Sequence, residues 1–105
     1  MYGIVVRFDI RDEAAALEFD RLTAAAVEHI RADEPGTLVY ATHPVRDAPL
    51  ARVFYEVYAD ADAWQAHEAN PHVRAFHAAK DPLLAQPPRV ELTLDGPAKG
   101  GPELR

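Results

Sequence analysis

Residues 34–58 read EPGTLVYATHPVRDAPLARVFYEVY. Glu34-Pro35-Gly36 is a breaker, because the residue before a proline is pushed out of the helical region and glycine loosens the backbone further. Beyond it Leu38, Tyr40 and Thr42 alternate with Val39, Ala41 and His43 up to Pro44, the period of a strand. Arg46 to Pro49 form a turn. Ala51 to Tyr58 then carry the β-branched and aromatic residues that suit a pleated surface, with Val53, Tyr55 and Val57 opposite Phe54, Glu56 and Tyr58. Two such runs joined by a short turn predict an antiparallel hairpin.

Upstream, Tyr2, Ile4, Val6, Phe8 and Ile10 alternate with Gly3, Val5, Arg7 and Asp9, which predicts a first strand over residues 2–10. Asp12 and Glu13 offer a cap and first-turn charge to a long amphipathic helix ending near Asp33, where Phe19, Leu22, Thr23, Ala26, Val27 and Ile30 recur at helical spacing. Downstream, Asp60 and Asp62 start a short helix through Trp64 and His67 that stops at Asn70-Pro71. Asn70 is placed to cap a further helix, with Pro71 at its first position and Val73, Phe76 and His77 within it. After the Asp81-Pro82 and Pro87-Pro88 breaks, Arg89 to Leu94 predict a fourth strand with Val90, Leu92 and Leu94 on one face.

The order is β-α-β-β-α-β, an α+β ferredoxin-like arrangement in which helices cover one face of an antiparallel four-stranded sheet. Val5, Val39 and Ala41 fall on the other face. Packing that face against a second copy of the chain is the simplest way to cover it, so a homodimer is expected. Residues 1–94 read as one domain and residues 95–105, rich in glycine and proline, as a flexible tail.

The chain has 105 residues, 49 % of them hydrophobic and 27 % charged, with a formal charge of −6 and no cysteine. No basic run offers the footprint that a phosphate backbone needs, which argues against nucleic acid. Disulfides and thiolate chemistry are excluded, and the composition fits a reducing compartment. No apolar run approaches the roughly 20 residues that span a bilayer, and Met1 opens onto strand-like sequence with no signal-peptide pattern. A cytoplasmic protein with no membrane partner is the expectation.

Three segments together carry a resemblance: Glu34-Pro35-Gly36-Thr37-Leu38-Val39-Tyr40, then Phe54-Tyr55-Glu56-Val57-Tyr58, then Ala66-His67-Glu68-Ala69-Asn70-Pro71-His72-Val73-Arg74-Ala75-Phe76. In order and spacing the chain resembles the antibiotic biosynthesis monooxygenase family over about residues 2–94, and the quinol-monooxygenase-like branch in particular. The resemblance implies a dimeric α+β barrel with a pocket between helices and sheet. It also implies oxidation of a quinol or polycyclic phenol by molecular oxygen, with no metal or flavin cofactor. The family is functionally mixed, so an isomerase of a small hydroxyketone and a non-catalytic small-ligand-binding dimer stand as alternatives. Haem-degrading members carry an iron-binding histidine at the place of His77, but also an asparagine and a tryptophan where this chain has Val6 and His67.

Oxygenation without a cofactor begins when an acidic phenol loses a proton, so the minimum site is a base in an apolar pocket. Histidine exchanges protons near neutrality. His67, three residues after Trp64 on one helical face, either accepts that proton or braces the Asn70-Pro71 break. His72, in the first turn of the next helix, is the second candidate base, or a hydrogen-bonding partner across the same break. Trp64 and Tyr40 are candidate pocket walls, and His29 and His77 candidate substrate contacts; each residue type also serves commonly as core or helix edge. Glu56 is either a base or substrate clamp or one half of an ion pair with Arg52 or Arg7, and the ion pair is the favoured expectation. The five-residue steps from His67 to His72 to His77 do not match helical metal-ligand spacing, so no metal is expected there.

Overall fold

A computed structural model of the chain describes residues 1–100, so positions 101–105 of the expected tail lie outside the described residues. Strand β1 spans Tyr2–Asp9, helix α1 Glu13–Asp33, β2 Thr37–Val45, β3 Ala48–Tyr58, α2 Ala61–Ala69, α3 Pro71–Lys80 and β4 Arg89–Thr93, with a 3-10 turn at Asp81–Leu83 before β4. The four strands pair antiparallel in the order β2-β3-β1-β4, which is the ferredoxin-like α+β sheet. Among the described residues no helix is long and apolar enough to cross a membrane.

The helix starts are set by side chains. Asp12 accepts a hydrogen bond from the Ala15 amide at 2.8 Å, and Asp60 accepts one from Ala63 at 2.8 Å. Each satisfies an amide that the first helical turn leaves without a partner. Asn70 behaves differently from expectation. It makes no side-chain cap on α3, and its amide reaches back to Glu34 Oε2 at 3.4 Å.

The hairpin turn is tighter than the sequence suggested, because β3 starts at Ala48 and only Arg46-Asp47 separate it from β2. Asp47 takes a φ of 65°, in the left-handed region that Asp tolerates better than most residues. A register shift between Pro44 and Val45 keeps the proline-containing ends irregular, as expected where ring nitrogens cannot join the ladder.

Even-numbered side chains of β1 and β3 face the helices. Phe8 and Phe54 meet edge-on at 4.8 Å, Phe19 of α1 lies 5.2 Å from Phe8, and Phe76 of α3 lies 6.2 Å from Phe19. Arg52 shares this face, and two 2.9 Å bonds to Asp20 tie β3 to α1. Arg7 pairs instead with Asp9 at 3.2 Å. The ion pair expected for Glu56 is therefore absent on both counts, because each arginine is committed to an aspartate.

Gly36, immediately before β2, lies against Ala63 of α2. A Cβ there would lie 2.8 Å from the Ala63 methyl. The odd-numbered face of the sheet carries Val5, Val39 and Val53, all partly exposed, around Tyr55, which is 44 % exposed.

Candidate functional site

A cavity of about 230 Å³ lies between α2, α3 and the helix-facing side of the sheet. Strand alternation supplies one wall, with Ile4, Val6 and Phe8 from β1 and Glu56 from β3. Helical spacing supplies the other: Trp64, His67 and Glu68 of α2 share a face, as do Phe76, His77 and Lys80 of α3. Val90 and Leu92 of the short β4 edge also line it while remaining 53 % and 63 % exposed. The mouth is therefore on the β4 side.

Four of the candidate residues come together here: His67, Trp64, Tyr40 and His77. His29 and His72 do not. Their rings stack on each other at 5.1 Å and line a separate groove between α1 and α3 with Leu22 and Ala75.

The motif residues converge on Glu34, whose carboxylate is buried where α1 ends. Oε1 receives the Thr37 hydroxyl at 2.7 Å and lies 2.6 Å from His67 Nδ1; Oε2 lies 2.7 Å from His72 Nε2. Burial alone would raise the Glu34 carboxyl, but hydrogen bonds from Thr37, His67 and His72 outweigh it and hold the group below its ordinary range. An ionised carboxylate only accepts hydrogen bonds, so His67 donates from Nδ1 and His72 from Nε2. In the neutral rings the free lone pair is then on Nε2 of His67 and on Nδ1 of His72. His67 is both a cavity wall and a brace of the helix break, and it is only 3 % exposed.

Glu56, for which an ion pair is the favoured expectation, lines the cavity, as do Glu68 and Lys80, which the sequence did not single out. Glu56 is buried, and the Tyr58 hydroxyl donates to it at 2.5 Å. Desolvation raises its carboxyl above the usual range despite that bond. Tyr40, 5.5 Å from His67 between ring centres, is held protonated by burial and by the nearby charge of Glu56. At the rim, His77 Nε2 lies 3.4 Å from Glu68, and this contact lowers the Glu68 carboxyl. Lys80 pairs with Asp81 at 2.8 Å while its ammonium lies 5.4 Å from the Phe8 ring centre. Trp64 stacks on Tyr2 at 5.1 Å, and its indole Nε1 is buried with no hydrogen-bond partner among the described residues.

Chemically, the site offers an apolar slot, a histidine with a carboxylate behind it, a buried carboxyl raised above its usual range by desolvation and an orphan N–H donor.

A candidate antibiotic biosynthesis monooxygenase from Caulobacter crescentus CB15 superposes with a TM-score of 0.84 at 29 % identity, covering 92 % of this chain and 90 % of that one. A Mycobacterium tuberculosis protein shares the fold at a TM-score of 0.83 and 24 % identity, over 95 % of this chain and 98 % of its own. So does a mutant of SnoaB, a cofactor-independent oxygenase from Streptomyces nogalater, at 0.80 and 21 % identity, over 95 % and 97 %. No curated protein matches the chain in sequence. The family profile described as antibiotic biosynthesis monooxygenase matches residues 1–79, and the chain belongs to that family.

Proposed function

We propose that the chain is a cofactor-independent monooxygenase that oxidises a quinol or polycyclic phenol with molecular oxygen, using His67 as proton acceptor. Family membership supports a monooxygenase-type function acting on a small molecule. The observation that carries the finer reading is the pairing of His67 with ionised Glu34 on one side and an apolar cavity on the other.

A phenolic substrate in that cavity gives its proton to Nε2, and Glu34 stabilises the imidazolium that results. The electron-rich anion passes an electron to oxygen, and recombination forms a carbon–oxygen bond. Loss of water from the peroxide then turns an activated CH₂ into a carbonyl. One oxygen atom enters the product and the other leaves as water, while the proton held by His67 returns to the departing oxygen. Trp64 Nε1 is suited to hold the substrate oxygen, since burial without a partner costs about 1–3 kcal/mol.

Oxygen uptake with a panel of anthrones, which carry the activated CH₂ beside a phenol, tests this reading. Steady uptake with matching quinone formation is expected, and no uptake with any of them overturns it. A second reading, an isomerase of a small hydroxyketone, is favoured by Glu56, because moving a proton between neighbouring carbons uses an acid and a base in one cavity. Isomer conversion under argon would select it. Saturable binding with neither reaction would leave a ligand-binding protein.

Residues 1–94 are the unit assigned this function, acting as a homodimer through the face that carries Val5, Val53 and Tyr55. Those side chains lie on the face of the sheet that the helices leave uncovered.

A further inference from the structure

We propose that His29, Asp33 and His72 form a binding site for a zinc-like divalent cation that staples α1 to α3, with Glu34 as the orienting carboxylate behind His72. One ligand atom from each of the three residues lies within 4.8 Å of the others. His29 and Asp33 are four positions apart on α1 and so project from the same face, the spacing of helical metal-ligand pairs. His72 approaches from the first turn of α3 with its ring stacked on His29.

The second observation concerns which nitrogen is available. Glu34 Oε2 takes Nε2 of His72 at 2.7 Å, which leaves the lone pair of the neutral ring on Nδ1. A carboxylate bonded to the far nitrogen of a histidine ligand is the usual outer-shell arrangement at zinc, fixing tautomer and orientation. His29 and Asp33 are exposed and their side chains have no hydrogen bond or ion pair among the described residues, so nothing competes for their ligand atoms.

Field and geometry are compatible with a cation. The C-terminal end of α1 and two carboxylates supply negative potential, which outweighs the opposing N-terminal end of α3. Tetrahedral zinc with bonds of about 2.0–2.1 Å sets its ligand atoms roughly 3.4 Å apart, so rotation of exposed side chains closes the remaining gap. Two imidazoles and one carboxylate select a borderline cation over magnesium, which prefers oxygen ligands. Its three ligands lie outside the cavity, and the only residue the site shares with the proposed reaction is Glu34, which bonds His67 through Oε1 and His72 through Oε2.

Calorimetric titration of the tag-free full chain with Zn²⁺, paired with thermal melting, tests the proposal. One ion per chain is expected, with a melting point raised by Zn²⁺ and unmoved by Mg²⁺. His29→Ala and Asp33→Ala should each weaken binding at least tenfold while leaving the metal-free melting point nearly unchanged. His72→Gln keeps a donor toward Glu34 and removes Nδ1, so it should weaken binding similarly without releasing the buried carboxylate. Absence of saturable binding up to about 1 mM Zn²⁺ overturns the site. So does binding that persists unchanged in the His29→Ala, Asp33→Ala double variant, which would move the ion elsewhere, for example to the Glu68 and His77 pair.

Discussion

His67 Nδ1 lies 2.6 Å from Glu34 Oε1, and the two side chains are only 2 % and 4 % exposed. Glu34 ends α1 and His67 stands in the last turn of α2, so this bond joins two helices distant in sequence. It also decides the histidine's chemistry. With Nδ1 committed to the carboxylate, Nε2 is the nitrogen that can exchange a proton with a ligand.

Replacing His67 therefore disturbs folding and turnover together, and two variants are needed to separate them. His67→Ala removes a donor from a buried carboxylate and should cost about 1–3 kcal/mol of stability. His67→Asn places an amide N–H near the position of Nδ1, keeping much of that bond while deleting the base. Its turnover should fall about 10²–10⁴-fold with a much smaller loss in melting temperature. Wild-type turnover in the Asn variant would remove His67 from the chemistry.

The two buried acids should give opposite pH signatures. Glu34 is held below its ordinary value near 4.5, so its stabilisation is complete above that pH and is lost as pH falls through the folded value. Glu56 is raised above the same reference, so its ionisation opposes folding increasingly as pH rises through the folded value. Melting curves from pH 2 to 8 should show the wild type's advantage over Glu34→Gln shrinking as pH falls below about 4.5 and level above it. Glu56→Gln, which retains an acceptor for Tyr58, should instead gain on the wild type as pH rises. Parallel curves for all three proteins would contradict both assignments.

The fold was legible because its signals are local. Period-two alternation placed Ile4, Val6 and Phe8 on one side, and Asp12 and Asp60 marked helix starts that the structure places at Glu13 and Ala61. The site was only half legible. Glu34 looked like part of a breaker, because partners 33 and 38 positions away leave no local periodicity to detect. His72 is a candidate for its place at a helix start and His29 for its place beside the apolar stripe, yet both line a groove between α1 and α3 instead of the cavity. Glu56 had a usable signal: strand parity already set it beside Phe54 and Tyr58. The expectation of an arginine partner obscured this, and Arg52 reaches Asp20 on another element.

Gly36 offers a test of packing at the hub. A methyl group placed 2.8 Å from the Ala63 side chain must push β2 and α2 apart just beyond the Glu34 carboxylate. Gly36→Ala should destabilise by about 1–3 kcal/mol, the usual range for overpacking. Because the clash is with Ala63, Ala63→Gly in the same chain should recover part of the loss despite glycine's own helix cost of about 1 kcal/mol. No change in melting temperature for the single variant would show that the two elements have room to relax.

Tyr55 tests the proposed dimer. It stands on the central strand β3, paired with Val5 on one side and Ala41 on the other, and its side chain points away from the helices. Wild-type protein should sediment at twice the 11.6 kDa chain mass at micromolar concentration. Tyr55→Lys sets a charge in the middle of that face, where two copies related by a two-fold axis bring the new ammonium groups near each other. Central interface tyrosines often contribute 2 kcal/mol or more, so association should be weakened by at least about 30-fold in favour of monomer. The isolated fold should tolerate the change, because the helix-facing core built on Phe8, Phe19, Phe54 and Phe76 does not include this position. A wild-type mass of 11.6 kDa would reject the dimer outright, and an undiminished dimer in Tyr55→Lys would place the contact on another surface.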